Sequence, residues 1–337
     1  MKNLAKFSRI IAIGAVIGLA GCGTLGELFS KKTTSSDVIF WDSSVMTNVT
    51  KVTDDGLSKQ WARISPDGSK LLYCESNRTI SRSDSYYHQN WDIVLLRNPA
   101  VPSKTALVNG YALAPGWSDN NTNYFYIAYE DGNTRIIRSS ASGGGKTYVT
   151  RTPIGSNDNR PDNREGIIIC DTWMNGRRQL VSLRENGTEI TFLGDGEQPS
   201  WHPKENKIVF IRNVSSSNEL KAVYEMDLSS AQVTEIYRDP NNYNCRGPSY
   251  SADGRYILFQ KGAEVRTTGS SKNNNETIVI SRNKWQIFIM NADGSGLTTL
   301  TSGNVDAFSP SMDVNGWLYF IADTGKTEIF RSRVSLE

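Results

Sequence analysis

The chain has 337 residues, of which 38% are hydrophobic, 10% aromatic and 21% charged; this builds a sizeable core and excludes a disordered protein and a multi-span membrane protein. Its formal net charge is +2, too close to neutral to leave the electrostatic footprint of a nucleic-acid binder. Only 2 histidines accompany 8 tryptophans and 14 tyrosines, so chemistry built on histidine metal clusters or imidazole bases has little to draw on.

Lys2, Lys6 and Arg9 lead into Ile10–Ala20, an uncharged run of 11 residues. That is too short to span a bilayer and right for the apolar region of a signal peptide. Leu19, Ala20, Gly21 and Cys22 then resemble the lipobox of bacterial lipoproteins. The resemblance implies removal of residues 1–21, acylation of Cys22 and anchorage to a membrane through lipid. Cleavage would take the three early cations with it and leave a mature chain at −1. Residues 22–36 carry no apolar periodicity and end in two lysines, two threonines and two serines, as a flexible tether does. Gly rather than Asp at 23 resembles outer-membrane sorting, so the expected location is the cell envelope, on the periplasmic side of the outer membrane or at the surface. Cys74, Cys170 and Cys245 remain, an odd number that permits at most one disulfide. Cys74 and Cys170 close the apolar runs 71–74 and 167–170 and read as small buried hydrophobes.

Residues 37–337 repeat. The stretch WARISPDGSKLLY at 61–73 recurs from Pro199, Pro248 and Pro310, and more loosely from Pro115 and Pro161. In each copy a short strand enters a Pro-Asp-Gly or Asn-Gly turn and leaves as an Ile/Leu/Val/aromatic run, which is a hairpin. The proline belongs on an edge strand. A third strand rich in β-branched and aromatic residues follows (91–96, 135–137, 179–183, 222–226 and 285–290), then a polar turn and a fourth strand. Four antiparallel strands every 40–50 residues make a propeller blade. Only 27 residues follow Pro310, enough for three strands, so the strand-like stretch 48–53 is expected to complete the last blade. The predicted fold is all-β: a six-bladed β-propeller of four-stranded antiparallel blades, closed by an N-terminal strand. The turn Ser65-Pro66-Asp67-Gly68 and its following strand resemble the repeat of TolB-like (WD40-like, PD40) propellers over residues 37–335. That family's N-terminal α/β domain has no counterpart in the short tether.

Motifs for chemistry mostly fail. The glycine run at 143–145 before Lys146 has Ser140 where a phosphate loop needs glycine. The turn at Asn291 lacks the alternating carboxylates of a calcium loop. Asp67 and Asp253 recur at one turn position and read as local backbone caps, while His202 holds the place of Ser65. His88 stands alone in an insertion. There is no Gly-x-Ser-x-Gly elbow, and the histidines of oligogalacturonate-lyase-like propellers are missing. No catalytic residue, metal site or cofactor is therefore predicted. The blades differ mainly in insertions between their second and third strands, at 75–90, 212–220 and 261–283, and long loops on a rigid scaffold are where function concentrates. The first insertion carries Tyr86, Tyr87 and His88, suited to partner contact. The last carries Arg266 and Lys272, which with Lys261, Arg282 and Lys284 against Glu264 and Glu276 give a local +3.

These features point to a lipid-anchored envelope propeller that binds an envelope protein or glycan, and they lean away from an enzyme. The alternative is a carbohydrate-active hydrolase or lyase using Asp162 with Arg63, Arg160 or Arg246. An enzyme should gather several perturbed titratable groups at the channel mouth; a binding scaffold should show mostly Ser, Thr and Asn there.

Overall fold

At each Asp-Gly or Asn-Gly signal the chain reverses and pairs with itself. In the first, the Ser65 N–H donates to the Lys70 carbonyl and the Gly68 N–H to the Ser65 carbonyl, both at 2.8 Å. Asp67 caps this turn, accepting the Ser69 N–H at 3.0 Å and the Ser65 hydroxyl at 2.6 Å. Asp253 caps another in the same way, and Asp313, at the position of Ser65, caps a third by accepting the Asn315 and Trp317 N–H groups. Gly68, Gly254 and Gly316 stand at φ of +74°, +82° and +75°, the left-handed region that glycine enters without a Cβ penalty.

The computed structural model describes residues 40–76, 90–101, 103–215, 218–270 and 277–336, with backbone alone at 156, 218, 264–270 and 277–283. Its 24 strands form six four-stranded antiparallel sheets. The first blade holds β2 (Ser58–Ile64), β3 (Leu71–Ser76), β4 (Asp92–Leu96) and β5 (Lys104–Val108); the second β6 (Ala112–Trp117), β7 (Asn123–Glu130), β8 (Asn133–Ser140) and β9 (Thr147–Tyr148); the third β10 (Ser156–Arg164), β11 (Ile167–Met174), β12 (Arg177–Arg184) and β13 (Thr191–Asp195). The fourth holds β14 (Glu197–Trp201), β15 (Lys207–Ser215), β16 (Asn218–Asp227) and β17 (Gln232–Tyr237); the fifth β18 (Cys245–Tyr250), β19 (Tyr256–Ser270), β20 (Thr277–Asn291) and β21 (Thr298–Thr299). In the sixth, β22 (Asp306–Met312), β23 (Trp317–Asp323) and β24 (Thr327–Val334) are completed by β1 (Met46–Lys51), which pairs with β24. The N-terminal strand closes the ring, as the residue count requires.

The innermost strands β2, β6, β10, β14, β18 and β22 each neighbour the next, and β22 returns to β2. Second strands open on apolar runs that are covered on both faces; β3 is buried at every residue. The core accordingly lies between blades, in five clusters, the largest built from blades one to three around Trp91, Trp117 and Phe125. Cys74, Cys170 and Cys245 are all free and buried within it. Among the described residues no helix is long and apolar enough to cross a membrane.

The insertion at 261–283, expected as a long loop, is instead a ribbon. β19 and β20 pair in unbroken register from Tyr256–Asn291 out to Ser270–Thr277. The insertion at 212–220 likewise continues the β15–β16 hairpin as far as Ser215 and Asn218.

Candidate functional site

All six innermost strands break register at the same place. The shifts fall at Gln60/Arg63, Leu113/Gly116, Asn159/Asp162, Glu197/Ser200, Arg246/Ser249 and Phe308/Ser311. Each is a bulge with one residue at positive φ: Trp61, Ala114, Arg160, Gln198, Gly247 and Ser309, all between 48° and 58°. Positive φ is uncommon outside glycine, and a bulge re-aims the side chains beyond it. In five blades the next residue is proline, placed where an edge-strand bulge tolerates a missing donor. Six-fold recurrence makes this strain a requirement of the architecture.

The residue after that position forms the inner ring: Arg63, Gly116, Asp162, Ser200, Ser249 and Ser311. It lines a cavity of about 550 Å³ that opens among the strand-one-to-two turns, past Pro66, Asp119, Glu165 and Lys204. Ring members reach across blade boundaries. The Asp162 carboxylate accepts the Ser200 hydroxyl at 3.0 Å and the Trp201 N–H at 2.8 Å through one oxygen, and the Asn163 N–H at 3.0 Å through the other. Ser311 takes the equivalent bond from the Ile64 N–H at 3.3 Å, and Ser249 donates to the Pro310 carbonyl at 3.3 Å. Burial pushes the Asp162 carboxyl above its ordinary value, against the hydrogen bonds that favour its charged form. Burial likewise pushes the Arg63 guanidinium down, while Asp162 pulls it up. At the mouth, burial raises Asp119, which accepts the Glu165 N–H.

Of the residues named for the enzymatic alternative, Asp162, Arg63 and Arg160 share this cavity. Arg246 does not line it; its guanidinium lies 4.3 Å over the Trp285 ring. The ring is mostly serine and glycine, with one carboxylate and one guanidinium. His202 is structural: its Nδ1 accepts the Glu205 N–H at 2.8 Å and the Lys204 N–H at 3.2 Å, and its ring meets Tyr250 edge-on. Among the described residues no group of three His, Cys, Asp or Glu is placed to hold a metal ion.

Cys22, Tyr86, Tyr87, His88 and Lys272 lie outside the described residues, and Arg266 is described by its backbone, opposite Ser281 in the ribbon. The expected local +3 is reduced, because Lys261 pairs with Asp239 and Lys284 with Asp306. The cavity opens on the face opposite the insertions. Sequence reasoning placed Arg63 and Asp162 on the channel but not the bulges that aim them; the recurring proline after the positive-φ residue was the available signal.

No known family profile matches the sequence, and no curated protein does. Solved structures do. A putative TolB from Agrobacterium tumefaciens matches with a TM-score of 0.57 at 14% identity, covering 86% of this chain and 97% of its own. TolB from Acinetobacter baumannii matches at 0.51 and 12%, over 82% of this chain and 79% of its own. The fold is TolB-like. An oligogalacturonate lyase from Vibrio parahaemolyticus also matches, at 0.53 and 12%, over 88% of this chain and 96% of its own. A TolB-like propeller thus shares its frame with an enzyme, and function has to be argued from the residues of the site.

Proposed function

We propose that this protein is a lipid-anchored, non-enzymatic binding propeller of the bacterial cell envelope, taking an envelope protein or glycan at the turn-face channel mouth. One observation carries the reading: the single carboxylate of the inner ring accepts three hydrogen bonds, two of which tie blade three to blade four. A general acid or base has to exchange its proton with a substrate; Asp162 is occupied as a strut, and the rest of the ring offers Ser, Gly and the Arg63 guanidinium. The lipobox at 19–22 and the tether behind it support the anchor and the envelope location.

Capture from membranes with the tagged lipoprotein, with and without crosslinking, tests the reading. The wild type should retain a defined envelope partner. Substitutions at the channel mouth, such as Arg63→Gln or Asp119→Lys, should lose it. The insertion face, with Tyr86, Tyr87, His88, Arg266 and Lys272, is the other place for a partner to sit; Tyr86→Ala/Tyr87→Ala should leave capture intact, and loss there alone would move the site to that face. Breakdown of an envelope polysaccharide by the purified protein, abolished in Asp162→Asn, would overturn the reading in favour of the enzyme.

A further inference from the structure

Arg63 is the one guanidinium of the inner ring, and its hydrogen bonding is unfilled. Among the described residues it makes a single long bond, 3.4 Å, to the carbonyl of Ala62 beside it. Asp162 attracts it, but both Asp162 oxygens are engaged by Ser200, Trp201 and Asn163. Between them in the ring stands Gly116, which puts no side chain into the gap. On the other flank of Arg63, the Ser311 hydroxyl accepts the Ile64 N–H and keeps its own proton to donate. A planar fork of donors in a half-buried cavity matches the two oxygens of a carboxylate. A cation held partly out of water also gains more from such a partner than one in bulk solvent.

The aromatic residues around the cavity choose between carriers of that carboxylate. A sugar ring docks by laying its C–H face on an open aromatic plane. Here the guanidinium of Arg164 lies 4.7 Å over Trp201 and the Lys70 ammonium 6.0 Å over Trp117, while Tyr250 is met by His202 and Trp61 by Trp91. Trp117, Trp201 and Tyr250 are themselves buried and Trp61 is half-buried, so the cavity offers no broad open ring face to an acidic sugar, whereas an extended peptide needs none.

We propose that the turn-face cavity takes a carboxylate of an acidic peptide segment, with Arg63 as its two-pronged donor and the Ser311 hydroxyl beside it. This rests on the binding-module reading and names the chemistry of the partner at the same site.

The test is isothermal titration of the full-length protein in detergent with acetyl-tetraglutamate amide, its tetraglutamine counterpart and a trimer of galacturonic acid. Tetraglutamate should bind and tetraglutamine should not. Arg63→Gln should weaken binding at least tenfold, and Arg63→Lys should fall between it and wild type, since an ammonium keeps the charge without the fork. Ser311→Ala should cost roughly two- to fivefold, and binding should weaken as salt rises. Thermal melts of each variant must match wild type, and Arg63→Lys covers the case in which Arg63→Gln fails to fold. Equal binding of tetraglutamate by wild type and both Arg63 variants overturns the proposal, as does no binding at millimolar peptide. Tighter, Arg63-dependent binding of the uronate trimer overturns it in favour of an acidic glycan. If the proposal fails while wild type captures an envelope partner that Arg63→Gln or Asp119→Lys loses, the binding-module reading stands without it. If the protein degrades polysaccharide, that reading itself has failed.

Discussion

Gly116 packs directly against the backbone of blade three: a Cβ there would stand 2.4 Å from the Pro161 carbonyl oxygen. The clash is with backbone, so it is relieved only by moving strands apart. Gly116→Ala should cost about 1–3 kcal/mol, as overpacking does, read as a lower denaturation midpoint with an unchanged slope; an unshifted midpoint would show that the two blades separate freely. Asp171 is fully buried one blade boundary further on, paired with Arg178 at 3.0 Å and accepting the Gln198 N–H at 2.9 Å. Burial pushes its carboxyl up to about 6, with Glu197 adding to the rise and Arg178 and Arg160 opposing it. A folded-state value above the unfolded one means that the native state holds this proton more tightly. The contribution is therefore fully present below about pH 4 and is lost as pH rises through about 6, some 3 kcal/mol in all. The stability of wild type relative to Asp171→Asn should fall by up to that amount between about pH 4 and pH 7, and a flat difference would mean that Asp171 is ionised throughout. Residues such as Asp67 and His202 were legible in the sequence because their partners lie within a few positions of them. Gly116 and Asp171 were not, because the groups that make them necessary belong to the next blade.

The elements were legible wherever a turn residue and an apolar run stood side by side, which is why all six hairpins and the closing strand were predicted. The blade-five insertion was misjudged as a loop because its charges and the asparagines at 273–275 obscured the β-branched run 277–280. That run is the strand signal, and it pairs with 267–270 in the ribbon. Beyond Gly262 and Trp285 the ribbon continues the register without adding to the blade's own β18 or β21 pairings. Removing 267–280 and rejoining Arg266 to Ser281, its partner in the register, through a two-residue turn should leave the melting temperature nearly unchanged, as expected where few core contacts are lost. A large drop would show that the ribbon packs on a neighbouring blade.

For the whole molecule, the weak point of a propeller is the seam where the two chain ends meet. Counting strands located that seam, but nothing local announced the ionic cluster that fastens it. Lys59 has no exposed surface; its ammonium pairs with Asp55, lies 3.3 Å from Glu75 and 4.0 Å from Glu328, and donates to the Leu57 carbonyl. Glu328 belongs to blade six and also accepts the Thr53 hydroxyl at 2.5 Å and the Gly56 N–H at 3.1 Å. The segment leading from β1 into β2 is thereby tied to both sides of the seam. Lys104 brings a second ammonium to Asp55 and Glu75, at 2.8 and 2.7 Å; burying Lys59 in this set is tolerable only while the charges compensate, and removing one member of such a buried set costs about 3–5 kcal/mol. Lys59→Met should accordingly lower stability by that order. Its exchange protection should fall first along β1 and β24, because local opening follows the weakest junction. Adding Glu328→Gln to Lys59→Met should recover part of the loss, since Glu328, unlike Asp55 and Glu75, has no second cation beside it among the described residues. If Lys59→Met instead loses protection evenly around the ring, or the double substitution is worse than the single, the cluster is not the fastening of the seam and the β1–β24 pairing holds it alone.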